Sequence, residues 1–243
     1  MTEGHKDIRT YTKLKRQIPN IITCCNLISG CIATYFAFRG CYHEALVFII
    51  VGAVFDFFDG MTARLLHVSS PIGKELDSLA DVITFGFAPS AMVFSFLNSF
   101  GDRLPSFVPF LAFIMAAFSA LRLAKFNLDE RQALGFIGLP TPANALFWGS
   151  LLAWAAWQKF YEPYQLPTYC IYITLALLAV SCYLLVSEIP MFALKFKTWG
   201  WRGNEVKYIF VLSCIPLLLL LGTLGLAAAI AWYVVLSAVR KDT

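Results

Sequence analysis

Long apolar runs, each about the length of a bilayer-crossing helix and separated by short polar turns, dominate the chain. They extend from Ile18 to Phe38, Ala45 to Val68, Lys74 to Phe100, Ser106 to Phe126, Ala143 to Phe160, Thr168 to Ile189, Val206 to Leu221 and Thr223 to Val239. A helix needs about 20 such residues to cross the hydrocarbon core. The last two runs form one nearly continuous apolar stretch, too long for a single crossing, and Gly222 and Gly225 supply a place to turn. The pattern predicts an all-α polytopic membrane bundle of about eight transmembrane helices, forming one domain over residues 1–243. Residues 1–17 are expected to be a cytoplasmic or interfacial segment. They are polar and basic and lack the immediate apolar stretch of a cleaved leader, so the first run is expected to be retained.

Composition removes the soluble alternatives. The chain is 59% hydrophobic and 14% charged, against roughly 25% charged in soluble domains. A net charge of +4 over 243 residues is too dilute for a nucleic-acid surface, so no nucleic-acid partner is expected. The basic residues read instead as topology signals. With the N-terminus inside, all of the 19 Lys and Arg except Arg39, Arg103 and Lys159 fall on the cytoplasmic side, as the positive-inside rule favours. Both termini are therefore expected in the cytoplasm. The seven cysteines are odd in number and lie mostly within apolar runs, which predicts neither a disulfide framework nor a zinc site. The stretch from Phe192 to Lys207, with Trp199 and Trp201, reads as interfacial.

Chemistry concentrates in the second and third runs. Asp56 and Asp59 are three apart on one helix, and Asp77 and Asp81 are four apart on the next, so each pair shares a face. The turn at Ser69, Ser70 and Pro71 makes these helices antiparallel. At 1.5 Å per residue Asp59 lies roughly 12–14 Å from that turn and Asp77 to Asp81 about 8–14 Å, a common depth. Four acids held together repel one another and require a cation to ionise together. Oxygen-only ligands favour Mg²⁺ or Mn²⁺, with Ca²⁺ a third option. Two such ions with a phosphate ligand are the arrangement of in-line displacement at phosphorus. Gly60, Ala63 and Gly73 leave room beside the acids, and Arg64 sits where it can meet an anion. Arg122, Lys125 and Asn127 gather at the cytoplasmic end of the fourth run, on the side of the acids, and would suit the carboxylate of an acceptor that carries one. Thr23, Asn26 and Gly30 form a polar or small face on the first helix, following Pro19 and Asn20.

The run Asp56-x2-Asp59-Gly60-x2-Ala63-Arg64-x8-Gly73-x3-Asp77-x3-Asp81 resembles the signature of the CDP-alcohol phosphotransferases, a family of membrane enzymes. That resemblance implies that Asp56, Asp59 and Asp77 hold two divalent metal ions and that Asp81 is the general base, with a metal contact of its own. It implies a CDP-diacylglycerol site shaped by Gly60, Ala63, Arg64 and Gly73, bordered by Asn20, Thr23 and Asn26. The segments PNIITCCNLISG, DVITFGFAPS, LRLAKFN and GFIGLPTPANA resemble the branch whose acceptor is L-serine, giving phosphatidylserine and CMP. Lys125 departs from the Arg common there, keeping the charge but losing the planar fork. The resemblance further implies a homodimer in the cytoplasmic membrane of a prokaryote, with its active site near the cytoplasmic face. Two alternatives stay open: the same chemistry with glycerol 3-phosphate or inositol phosphate as acceptor, and a cation-coupled transporter, which would also carry intramembrane acids.

Overall fold

The computed structural model describes residues 3–68, 70–129, 136–161, 166–192, 200 and 204–239. Arg131, Lys195, Lys197, Arg202, Arg240 and Lys241, on which the topology expectation partly rests, lie outside the described residues, as does most of the expected interfacial stretch. The helices are α1 (Glu3–Phe38), α2 (Tyr42–Leu65), α3 (Pro71–Asp81), α4 (Ala88–Asn98), α5 (Phe113–Leu128), α6 (Thr141–Tyr161), α7 (Tyr169–Val186), α8 (Glu205–Leu221) and α9 (Thr223–Val239). Among the described residues, five segments are long and apolar enough to cross a membrane: Gln17–Phe38, Tyr42–Leu65, Pro71–Asn98, Val108–Leu128 and Tyr169–Val186. Large apolar side chains such as Leu219 and Leu220 are 80% and 83% exposed, a surface suited to lipid rather than water. The chain is an all-α integral membrane protein.

Local chemistry sets the breaks. Gly40 takes φ +72°, and the Gly40 and Cys41 amides donate to the Ala37 and Phe36 carbonyls, closing α1. His67 does the same after α2 at φ 50°, its amide and that of Val68 donating to Arg64 and Ala63. The chain re-enters at Ser70, whose hydroxyl accepts from the Gly73 amide at 2.9 Å with Pro71 opening α3. Gly222 at φ +55° separates α8 from α9, dividing the long terminal apolar stretch as expected. A Cβ on Gly225 would enter the Leu217 backbone, so that turn also requires its second glycine.

Three features differ from the sequence reading. Helix α1 continues back to Glu3, well before the first apolar run begins at Ile18, with Pro19 inside it; the preceding residues carry no breaker strong enough to end the helix. The third run is not uniform: Val82–Phe87 is a π-turn between α3 and α4, closed by the Ala88 amide donating to Ile83. Pro89, lacking an N–H in the next turn, favours that slip in the ladder. A two-residue antiparallel pair joins β1 (Phe136–Ile137) to β2 (Pro190–Met191). It satisfies backbone groups where the chain enters α6 and leaves α7, which a low-dielectric setting demands.

The core is built on α1, α2, α4 and α6, with Phe85, Ile49, Met92, Leu97 and Trp148 fully buried. Trp148 places its indole N–H on Ser181 of α7 at 3.0 Å. Helix α9 packs on both α6 and α8. Lys74 at the start of α3 donates to the Asn127 carbonyl near the end of α5 at 3.1 Å, so the α2–α3 turn and the α5 terminus share one end of the bundle. Arg39 and Arg103 lie at the other end, where Arg103 donates to Leu166 at 2.9 Å.

Candidate active site

Three antiparallel segments, α1, α2 and α3, bring the acids together. Carboxylate oxygens of Asp56, Asp59 and Asp77 all come within 4.8 Å of one another. Asp59 is buried and the other two half-buried. The Thr23 hydroxyl donates to Asp59 Oδ2 and has the Pro19 carbonyl 3.0 Å away. Asp77 Oδ1 is buried without a hydrogen-bond partner among the described residues. Three convergent carboxylates with an unpartnered oxygen are the donor set of a hard divalent cation, so these residues fit the metal that the spacing implied.

Asp81 does not join that group. Its position one turn further along α3 carries it about 6 Å down the helix axis, and Asn26 of α1 donates its side-chain amide to Asp81 Oδ1 at 3.1 Å. It remains within electrostatic reach of Asp56, Asp59 and Asp77. The four acids are thus arranged as a cluster of three and one buried carboxylate tethered to Asn26.

A cleft of about 240 Å³ opens beside the three acids, lined by Asn20, Thr23, Asp59, Gly60, Ala63, Gly73 and Asp77, among others. Most residues expected to border a nucleotide therefore share one concavity. Gly60 faces open space: a Cβ there would meet nothing within 4 Å among the described residues. At Gly73 a Cβ would come 2.9 Å from Ser70 Oγ and 3.0 Å from Asn20 Oδ1, so glycine permits α1 to approach α3. Two expected members lie elsewhere. Arg64 is exposed, its Nε donating to the Gly60 carbonyl at 2.9 Å, and Asn26 serves Asp81. Ser70 and Lys74 also line the cleft; Ser70 was legible only as part of a turn, and Lys74 only as a topology charge.

The three expected acceptor contacts diverge. Arg122 is buried, its Nε without a partner among the described residues and its guanidinium carbon 5.8 Å from the centre of the Phe126 ring. Asp81 and Tyr233 are its electrostatic neighbours. Tyr233 donates to the Phe192 carbonyl at 3.0 Å and packs on the Phe192 ring, bringing α9 to the site; a tyrosine within an apolar run gave no local sign of this. Asn127 instead ties α5 to α3, donating to Ser78 Oγ at 2.7 Å. Lys125 is exposed.

The family model for CDP-alcohol phosphatidyltransferase matches residues 16–240. The chain belongs to the CDP-alcohol phosphatidyltransferase family. Membership makes it a membrane transferase of phospholipid synthesis. This family uses divalent metal ions, in keeping with the Asp cluster. A CDP-diacylglycerol–serine O-phosphatidyltransferase of Bacillus subtilis is 41% identical over 125 residues, covering 51% of this chain and 69% of that relative. One from Methanocaldococcus jannaschii is 32% identical over 204 residues, covering 79% of this chain and 94% of the relative. One from Helicobacter pylori is 35% identical over 130 residues; there the match spans 54% of the relative, about half its length.

Proposed function

We propose that this CDP-alcohol phosphatidyltransferase moves the phosphatidyl group of CDP-diacylglycerol to the hydroxyl of L-serine, releasing phosphatidylserine and CMP. The observation carrying this reading is the division of the site. The three-carboxylate cluster borders the cleft with Gly60 and Gly73, while Asp81 and the buried Arg122 lie deeper, where an acceptor would meet them. The names of the relatives from Bacillus subtilis and Methanocaldococcus jannaschii support serine as the acceptor.

Asp56, Asp59 and Asp77 would hold two divalent ions, Mg²⁺ or Mn²⁺ with Ca²⁺ a third option, and these would supply neutralisation of the pyrophosphate charge. Thr23 orients Asp59, and the bare face at Gly60 admits the nucleotide end of the donor. Arg64, outside the cleft lining but bonded to the Gly60 carbonyl, adds positive charge near the donor phosphates. Arg122 pairs with the serine carboxylate, turning the hydroxyl toward Asp81. Asp81 takes the hydroxyl proton as the serine oxygen forms its bond to the lipid-side phosphorus. The bond from that phosphorus to the CMP oxygen breaks, and CMP leaves with the electron pair. No covalent enzyme intermediate is needed.

In this reading the chain is one domain with eight crossings, α3 and α4 forming a single one, and both termini in the cytoplasm. The site opens near the cytoplasmic face of a prokaryotic cell membrane, and the protein works as a homodimer. The deciding experiment incubates purified protein with CDP-diacylglycerol and L-serine, glycerol 3-phosphate or inositol phosphate, following CMP release. Serine-dependent release is expected. Release driven faster by either phosphate acceptor would reject serine as the substrate.

A further inference from the structure

The π-turn directly after Asp81 has no part in the chemistry described so far, yet single π-turns inside helices recur at functional sites. Its central residue, Thr84, is fully buried at the junction of three helices. Two glycines make that junction possible. A Cβ on Gly52 of α2 would stand 2.5 Å from Thr84 Cγ2, and one on Gly30 of α1 would stand 2.8 Å from Thr84 Cα. In this position the Thr84 hydroxyl donates to the backbone carbonyl of Asn26 at 3.0 Å. Asn26 is itself fully buried, and its side-chain amide is the donor to Asp81 Oδ1. Thr84 and Asp81 are three residues apart on one segment, and both fasten on the same residue of α1. The first contact holds the backbone of Asn26 in depth; the second uses its side chain to hold the acid.

We propose that Thr84 and Asn26 are positioning residues that aim the Asp81 carboxylate, with Oδ1 tied to the Asn26 amide and Oδ2 left to receive the acceptor proton. The inference rests on the reading of Asp81 as proton acceptor. A carboxylate bonded through one oxygen to a fixed amide loses rotation about its own axis. A proton transfer needs heavy atoms within about 2.6–3.2 Å, so such fixing acts on turnover more than on ground-state binding. Both side chains meet α1 at Asn26, Thr84 at the Asn26 backbone carbonyl and Asp81 at the Asn26 side-chain amide.

The test compares Thr84→Val, which keeps the shape and removes the hydroxyl, with Thr84→Ser, which keeps the hydroxyl, and with Thr84→Ala as a less crowded variant also lacking it. Each is purified in detergent, checked for a folded monodisperse state and assayed for serine-dependent CMP release. Thr84→Val and Thr84→Ala should lose about 10- to 100-fold in kcat, the same order as removing a residue that orients a metal ligand. KM for both substrates and the metal concentration for half-maximal rate should hold, and Thr84→Ser should keep most of the turnover. Parent-level kcat in Thr84→Val or Thr84→Ala overturns the inference. So does an equal fall in Thr84→Ser, or a loss that appears in KM or in metal requirement. Asp81→Asn measured alongside separates the two claims: normal turnover there removes the base itself, whereas a dead Asp81→Asn beside a fully active Thr84→Val removes only the positioning role.

Discussion

The Thr23 hydroxyl of α1 donates to the Asp59 carboxylate of α2, fixing one of three clustered acids from a neighbouring helix. Substituting valine would leave a buried carboxylate oxygen without its donor, a loss of about 1–3 kcal/mol for such a group. Thr23→Val is therefore expected to raise the Mg²⁺ or Mn²⁺ concentration needed for half-maximal rate by about 10- to 100-fold. Thr23→Ser should stay near the parent. An unchanged metal titration in Thr23→Val would show that Asp59 is oriented without it.

The acids themselves should separate by role. Asp56→Asn, Asp59→Asn and Asp77→Asn each remove a ligand from the three-carboxylate set and should abolish CMP release while the bundle stays folded. Asp81→Asn should stop turnover yet retain CDP-diacylglycerol binding, because its carboxylate is held by Asn26 outside that set. Equal loss of donor binding in all four variants would make Asp81 another ligand.

The spacing of these four acids was the most legible feature of the sequence, because i, i+3 and i, i+4 positions share a helix face wherever the helix sits. Which oxygens converge was not legible: Asp81 is drawn away by Asn26, a partner 55 residues distant in sequence. Nor was the tie between α5 and α3 legible, made by Asn127 through its bonds with Ser78 and Lys74. Hydrophobic periodicity located most of the helices but is blind to a π-turn, since Val82–Phe87 is as apolar as the helix around it. The β1–β2 pair left no trace, as two residues are too few for an alternating pattern.

The glycines of the cleft offer a test in which stability and binding move apart. Gly60→Ala meets nothing within 4 Å among the described residues and adds a better helix former, worth about 1 kcal/mol in a helix interior. It should fold at least as stably as the parent while raising KM for CDP-diacylglycerol, because the space it fills belongs to the donor. Gly73→Ala, whose Cβ would press on Ser70 and Asn20, should lose both stability and donor binding. Thermal unfolding and initial-rate measurements separate the two. A Gly60→Ala enzyme with the parent KM would remove the donor from that face.

Topology can be read by labelling. In a cysteine-free background, Leu128→Cys at the Asp-site end should react with a membrane-impermeant thiol reagent only from the cytoplasmic side. Asp102→Cys at the opposite end should react only from outside. The expectation follows from the basic residues gathered at the first end and the position of Arg39 and Arg103 at the second. Reversed labelling would invert the protein in its membrane.

Acceptor choice turns on Arg122. It is a buried guanidinium whose Nε has no hydrogen-bond partner among the described residues, its electrostatic neighbours being the Asp81 carboxylate and the Tyr233 phenol, and a buried cation calls for an anion. Arg122→Gln removes the charge and leaves the three-carboxylate cluster untouched, so KM for serine should rise while KM for CDP-diacylglycerol moves little. A charge-assisted hydrogen bond is worth about 1.5–3 kcal/mol, on the order of ten- to a hundredfold in binding. Arg122→Lys, a point charge without the fork, should fall between the two. Lys125→Gln supplies the contrast: its exposed side chain should leave serine binding near the parent value. A normal serine KM in Arg122→Gln, or an equal rise for both substrates, would move the carboxylate site elsewhere and leave the phosphatidyl-transfer chemistry of the Asp cluster standing.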